Sequence, residues 1–90
     1  MGGPGMTAQP TGWEVGDNHH LSKTFLFPDF KAALDFVNRV GALAEEQGHH
    51  PDVHLAWGRV YVETWTHDTG GLTDKDYRLA AGIDQRFSGH

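Results

Sequence analysis

Between Glu45 and Asp76 the chain concentrates side chains that can move protons. Four of its seven histidines fall there. His49 and His50 stand side by side before Pro51, and His54 and His67 follow. Imidazole titrates close to neutral pH, so it can give or take a proton under ordinary conditions. Glu45 and His49 are four positions apart and would share a face if helical geometry continued to His49. A carboxylate placed there raises the imidazole's pKa and favours its proton-donating form. The plainer reading is a solvated Glu–His pair at a fraying helix end, followed by a polar turn. Adjacent histidines diverge on extended backbone, so a pocket would take one from each side or use one to orient the other. His67 stands where a strand-like run ends, at a sheet rim. A fold that brings it to His49 and His50 would make one pocket of imidazoles.

Other chemistries compete for the same residues. Neutral imidazoles bind zinc or nickel, and His49, His50, His54 and His67 supply enough nitrogens. Adjacent histidines on extended chain rarely converge on one ion, however. Pro51 separates His50 from His54 in strand-like sequence, so the expectation is no metal. Trp57 and Trp65 are packing residues if buried, or platforms for a planar heterocycle if exposed. Asp76 has a complete structural explanation as an acid in the first turn of a helix. His19 and His20 lie between a turn and a strand and read as structural.

The elements that must position these residues follow from periodicity. Met1–Gly12 is rich in Gly and Pro and reads as a loose arm, with residues 1–11 outside the domain and 12–88 forming it. Trp13–Val15 and Leu21–Phe27 read as a hairpin around Gly16-Asp17-Asn18. Asp29 suits the N-cap of a helix. Phe30, Leu34, Val37, Val40 or Gly41, and Ala44 recur at steps of three and four and define its expected buried face, widened by Phe36 and Leu43. Gly48 is the expected residue just past the helix, and Pro51 prevents a restart. Val53–Trp57 alternates, Gly58-Arg59 is the expected turn, and Val60–Thr66 alternates again, with Thr64 and Thr66 on the side of Val60 and Val62. Thr73 with Asp76 fits a capping box. Leu72, Leu79, Ala80, Ile83 and Phe87 give a second amphipathic helix. The order β-β-α-β-β-α implies an α+β two-layer sandwich, a four-stranded antiparallel sheet with both helices on one face. Open sheet edges would favour a homodimer or homotetramer.

Composition narrows the function classes. Ninety residues make one domain with a modest core. There is no cysteine, hence neither a disulfide framework nor a thiolate metal site. Twelve Asp+Glu against seven scattered Lys+Arg argue against a nucleic-acid partner. No apolar run approaches the ~20 residues of a membrane span. No signal peptide is visible, which makes the cytoplasm the expected location.

With these residues in view, the stretch resembles the pterin-4a-carbinolamine dehydratases. Their signature is an acidic residue, three residues, His-His-Pro, five or six residues, an aromatic, nine residues, His, then a spacer to Asp. Glu45, His49-His50-Pro51, Trp57, His67 and Asp76 meet every position and gap. The text from Gly58 to Asp84 is similar to the family's second hairpin and last helix, and Gly12-Trp13 with the Phe-rich strand is similar to its first hairpin. The family usually carries a helix before the Gly-Trp, which Met1–Pro10 is too short and too rich in Gly and Pro to supply.

The resemblance implies a reaction in tetrahydrobiopterin recycling. A 4a-hydroxytetrahydrobiopterin, left by an aromatic amino acid hydroxylase, loses water to give the quinonoid dihydropterin. On that basis His49 and His67 are the acid/base candidates and His50 binds and orients the ring. Glu45 tunes His49, Pro51 fixes the turn, Trp57 walls the pocket, and Asp76 holds the loop or His67. The pterin is the substrate and no cofactor is required. The alternative is a non-catalytic dimerisation or binding module on the same fold, since animal members of the family also act as a dimerisation cofactor for a homeodomain transcription factor.

Overall fold

In the computed structural model, residues 12–16, 20–66 and 68–88 are described. The elements run β1 (Glu14–Gly16), β2 (His20–Leu26), α1 (Phe30–Gln47), β3 (Asp52–Ala56), β4 (Arg59–Thr64) and α2 (Asp74–Ser88). All neighbouring strands are antiparallel, in the order β1-β2-β4-β3. The second hairpin therefore inserts β4 beside β2, with Leu21 opposite Thr64 and Leu26 opposite Arg59. β3 is left on the edge. Side chains alternate across a pleated strand, so Leu21, Phe25, Val60, Val62 and Thr64 all turn to one face, and all are buried. Both helices cover that face, giving the α+β two-layer sandwich that the element order implies. An arm over residues 1–11 and a turn at Asp17-Asn18 fall outside the described residues.

The core is a knot of aromatic rings closed by small aliphatic side chains. Phe25 and Phe27 of the sheet side lie 4.8 and 5.2 Å, centroid to centroid, from Phe36 of α1. Leu79, Ala80 and Ile83 of α2 close it. Trp13 is buried beneath the first hairpin, and its indole N–H donates to both carboxylate oxygens of Asp84 at 3.1 Å.

Three local expectations shift. The buried face of α1 is Ala33, Phe36, Val40, Leu43 and Ala44, whereas Phe30 and Leu34 are 44% and 38% exposed. Apolar residues form two overlapping stripes on this helix, and the neighbours decide which is covered. Gly82 of α2 lets Leu43 approach so closely that a Cβ there would meet its Cδ2 at 2.8 Å. The second hairpin turns one residue earlier than expected, at Trp57-Gly58, with Ala56 opposite Arg59. Glycine is required at 58 by close approach rather than by a positive φ. A Cβ would stand 2.8 Å from the Phe27 carbonyl oxygen, and the Phe27 N–H donates to the Gly58 carbonyl at 2.9 Å. Finally, β4 ends at Thr64, and Thr66 instead forms an isolated bridge with Gly71.

Candidate active site

The helix ends set the site. Asp29 caps α1, accepting from the Ala32 N–H at 2.9 Å. At the other end Gly48 adopts the left-handed conformation at φ 66°, and the Gly48 and His49 N–H groups both donate to the Ala44 carbonyl. The His49 bond is the six-to-one bond of a Schellman stop and the Gly48 bond that of the simpler left-handed cap, and glycine takes this conformation without steric penalty. Helical geometry therefore does not reach His49, and the expected Glu45–His49 pairing fails. The left-handed residue turns the chain so that the two histidines diverge. His50 swings outward, with Nε2 2.6 Å from Glu45 Oε2, both side chains largely exposed. His49 turns inward, only 12% of its side chain exposed, and its Nε2 lies 2.7 Å from Asp76 Oδ1. Pro51, half-buried, leads directly into β3.

Asp76 is wholly buried. It stands in the first turn of α2 and completes the expected capping box, accepting from the Thr73 N–H at 3.0 Å. Three more donors reach it. Thr64 Oγ1 donates to Oδ1 at 2.7 Å and Thr66 Oγ1 to Oδ2 at 2.7 Å, while His49 completes Oδ1. The threonine hydroxyl of Thr66 also meets that of Thr73 at 2.7 Å. Burial by itself raises the Asp76 pKa, but the hydrogen bonds from His49, Thr66, Thr64 and the Thr73 backbone outweigh it, and the carboxyl is held below the usual range. Asp76 is thus an anion accepting on all four lone-pair positions. An ionised carboxylate only accepts, so the proton in the 2.7 Å contact belongs to His49 Nε2. In neutral His49 the lone pair is then on Nδ1, which has no hydrogen-bond partner among the described residues.

The other sequence candidates scatter. Trp57 is 68% exposed at the tip of the second hairpin. Four residue steps of β3, about 13 Å at ~3.3 Å each, separate that tip from the His-His-Pro turn, so within one chain Trp57 does not wall the His49 environment. His67 lies outside the described residues. Thr66, its chain neighbour, is anchored to Asp76. His54 faces the opposite side of the sheet, with Thr24, Ala56, Arg59 and Tyr61 around a cleft of about 470 Å³ that His49, His50 and Asp76 do not line. His20 pairs there with Glu63 at 3.3 Å and packs its ring against Trp65. Among the described residues no three His, Asp or Glu side chains converge as metal ligands would. Sequence reasoning missed Thr64 and Thr66 as site residues. Their signal was present: two hydroxyls continue the inward-facing positions of Val60 and Val62.

Comparison with known proteins places the chain in a class. The family profile described as Pterin 4 alpha carbinolamine dehydratase matches residues 5–86. A Rubrobacter xylanophilus protein assigned to pterin-4-alpha-carbinolamine dehydratase is 52% identical over 80 residues, covering 89% of this chain and 75% of its own. A Rickettsia bellii protein of the same assignment is 49% identical over 72 residues, and there the match spans 64% of the relative's length. A crystal structure described as a transcriptional coactivator/pterin dehydratase from Brucella melitensis superposes with a TM-score of 0.80 at 31% identity, over 84% of this chain and 82% of that one. A pterin dehydratase-like protein described as a RuBisCO assembly factor in the alpha-carboxysome shares the fold, with a TM-score of 0.72 at 22% identity over 88% and 93%. The class so defined is that of the hydro-lyases. Within it, the chain belongs to the pterin 4 alpha carbinolamine dehydratase family.

Proposed function

We propose that this chain dehydrates 4a-hydroxytetrahydrobiopterin to quinonoid dihydrobiopterin and water by histidine acid/base catalysis, in tetrahydrobiopterin recycling. The observation that carries the reading is the His49–Asp76 contact. Loss of the C4a hydroxyl needs a proton delivered to the departing oxygen, and a pterin ring nitrogen must give up a proton as the new double bond forms. His49, with Nε2 held by Asp76, has Nδ1 for one of these transfers. His67 is the candidate for the other, from its place in the signature. His50 binds the ring at the mouth of the site, where its pairing with Glu45 orients it, and Pro51 fixes the turn that separates the two imidazoles. Each positioned acid or base typically contributes 10²–10⁴-fold.

The same fold serves assembly in the RuBisCO factor, so fold alone does not separate an enzyme from a binding module. Capping α2 accounts for the Asp76 carboxylate by itself, but not for an inward-turned His49 held on it with Nδ1 left over, and this favours catalysis. The proposal extends to a homodimer or homotetramer, for which edge strands β1 and β3 are available, to a cytoplasmic location, and to a hydroxylase that supplies the substrate. No described helix is long and apolar enough to cross a membrane. The test is the decay of the carbinolamine's ultraviolet signal with wild type, His49→Ala and His50→Ala. Rates equal to wild type in both variants would overturn the catalytic reading.

A further inference from the structure

Two hydroxyls sit where β4 would otherwise continue an apolar layer. Thr64 and Thr66 follow Val60 and Val62 on the strand's inward side; Thr64 is wholly buried and Thr66 is 8% exposed. Each donates to a different oxygen of Asp76 at 2.7 Å. The Thr73 N–H and His49 Nε2 take the two remaining positions. A carboxylate gripped at Oδ1 by the last residue of β4 and at Oδ2 by Thr66 just beyond it and by the cap of α2 cannot rotate without breaking several of these bonds at once. The group against which His49 leans is therefore fixed by a strand that His49 itself does not touch through any hydrogen bond.

We infer that Thr64 and Thr66 are positioning residues for His49, clamping the Asp76 carboxylate so that the imidazole keeps its proton on Nε2 and presents Nδ1 to the substrate. They act through Asp76 and need not touch the pterin. The competing role, two hydroxyls that only complete the cap of α2, would leave turnover unchanged in any variant that folds. The kinetic arm of the test rests on the dehydratase reading; a spectroscopic arm does not.

Thr64→Val, Thr66→Val and Thr64→Ser are compared with wild type by kcat and KM for carbinolamine dehydration. The imidazole N–H protons are followed by proton–nitrogen NMR. Loss of either hydroxyl lowers kcat by about 10–100-fold with KM changed little, because misplaced acid/base groups affect the transition state more than binding. Thr64→Ser keeps the donor and recovers most of the rate. In wild type the His49 Nε2–H gives a downfield proton slow to exchange, which weakens in both valine variants and persists in Thr64→Ser. Should Thr64→Val fail to fold, Thr66→Val and the serine variant still decide the matter. Folded valine variants with wild-type kcat and an unaltered His49 resonance would overturn the inference. A wild type inactive on the carbinolamine would count against the dehydratase reading alone, since the resonance reports the clamp without turnover.

Discussion

Replacing Asp76 by asparagine changes one atom and should disable the site while the fold survives. Wild-type Asp76 faces four donors: Thr64 Oγ1 and His49 Nε2 at Oδ1, Thr66 Oγ1 and the Thr73 N–H at Oδ2. Asparagine offers one acceptor oxygen and one NH₂. The Thr73 N–H cannot become an acceptor, so the amide oxygen must stay at its side and the NH₂ must face Thr64 and His49. Threonine hydroxyls rotate to suit. His49 can accept from the NH₂ only by moving its own proton from Nε2 to Nδ1, which turns the substrate-facing nitrogen from an acceptor into a donor. A wrong imidazole tautomer at an acid/base site lowers kcat by up to ~10⁴-fold, and about 10²–10⁴-fold is expected here. The stability cost is about 1–3 kcal/mol for the weakened buried network. At ~4–8 °C per kcal/mol for a domain of this size, the melting midpoint should fall by at least about 4 °C. Kinetics of carbinolamine dehydration, with a thermal melt on the same preparation, give both numbers. A folded Asp76→Asn protein with wild-type kcat would refute the assignment of the Nε2 proton, and with it the role given to His49.

Further outcomes follow from the same geometry. Asp76 has a folded-state pKa below its unfolded value of ~3.9, so the stability it contributes is fully present above pH ~4 and is lost as pH falls through the folded value. The difference in melting midpoint between wild type and Asp76→Asn should therefore hold steady from pH ~6 down to pH ~4 and narrow only in melts run below that; a gap that stays constant below pH ~4 would contradict this. Glu45→Gln removes the partner of a largely exposed His50 and should cost under ~1 kcal/mol, and denaturant titration would reveal a larger loss. Gly58→Ala puts a methyl against the Phe27 carbonyl oxygen and should cost about 1–3 kcal/mol in the same titration. Gly41→Ala, with open space at its Cβ position, should instead be neutral or stabilising in its helix.

Local signals carried much of the fold because their physics spans only a few residues. Asp29 at the start of α1, Gly48 past its end and Thr73 with Asp76 at the start of α2 each act within one helical turn. Alternation along β4 put Val60, Val62, Thr64 and Thr66 on one side before any partner was known. The same locality explains the errors. Spacing paired Glu45 with His49, but the left-handed Gly48 lies between them and breaks the helical phase. Periodicity placed Phe30 and Leu34 in the buried face of α1 together with Phe36, Val40, Leu43 and Ala44, but the sheet and α2 cover only the latter and leave Phe30 and Leu34 partly exposed.

The sequence by itself determined the family signature, the order of elements and where each helix starts and stops, because these are written in short-range residue choices. Only the tertiary structure decided which histidine meets which carboxylate. His49 and Asp76 are 27 residues apart, and whether they touch depends on the antiparallel approach of α1's end to α2's beginning. Thr64 and Thr66 join them only because β4 lies inside the sheet, beneath both helices. A buried anion needs its donors from every side, and no single segment of chain can surround it.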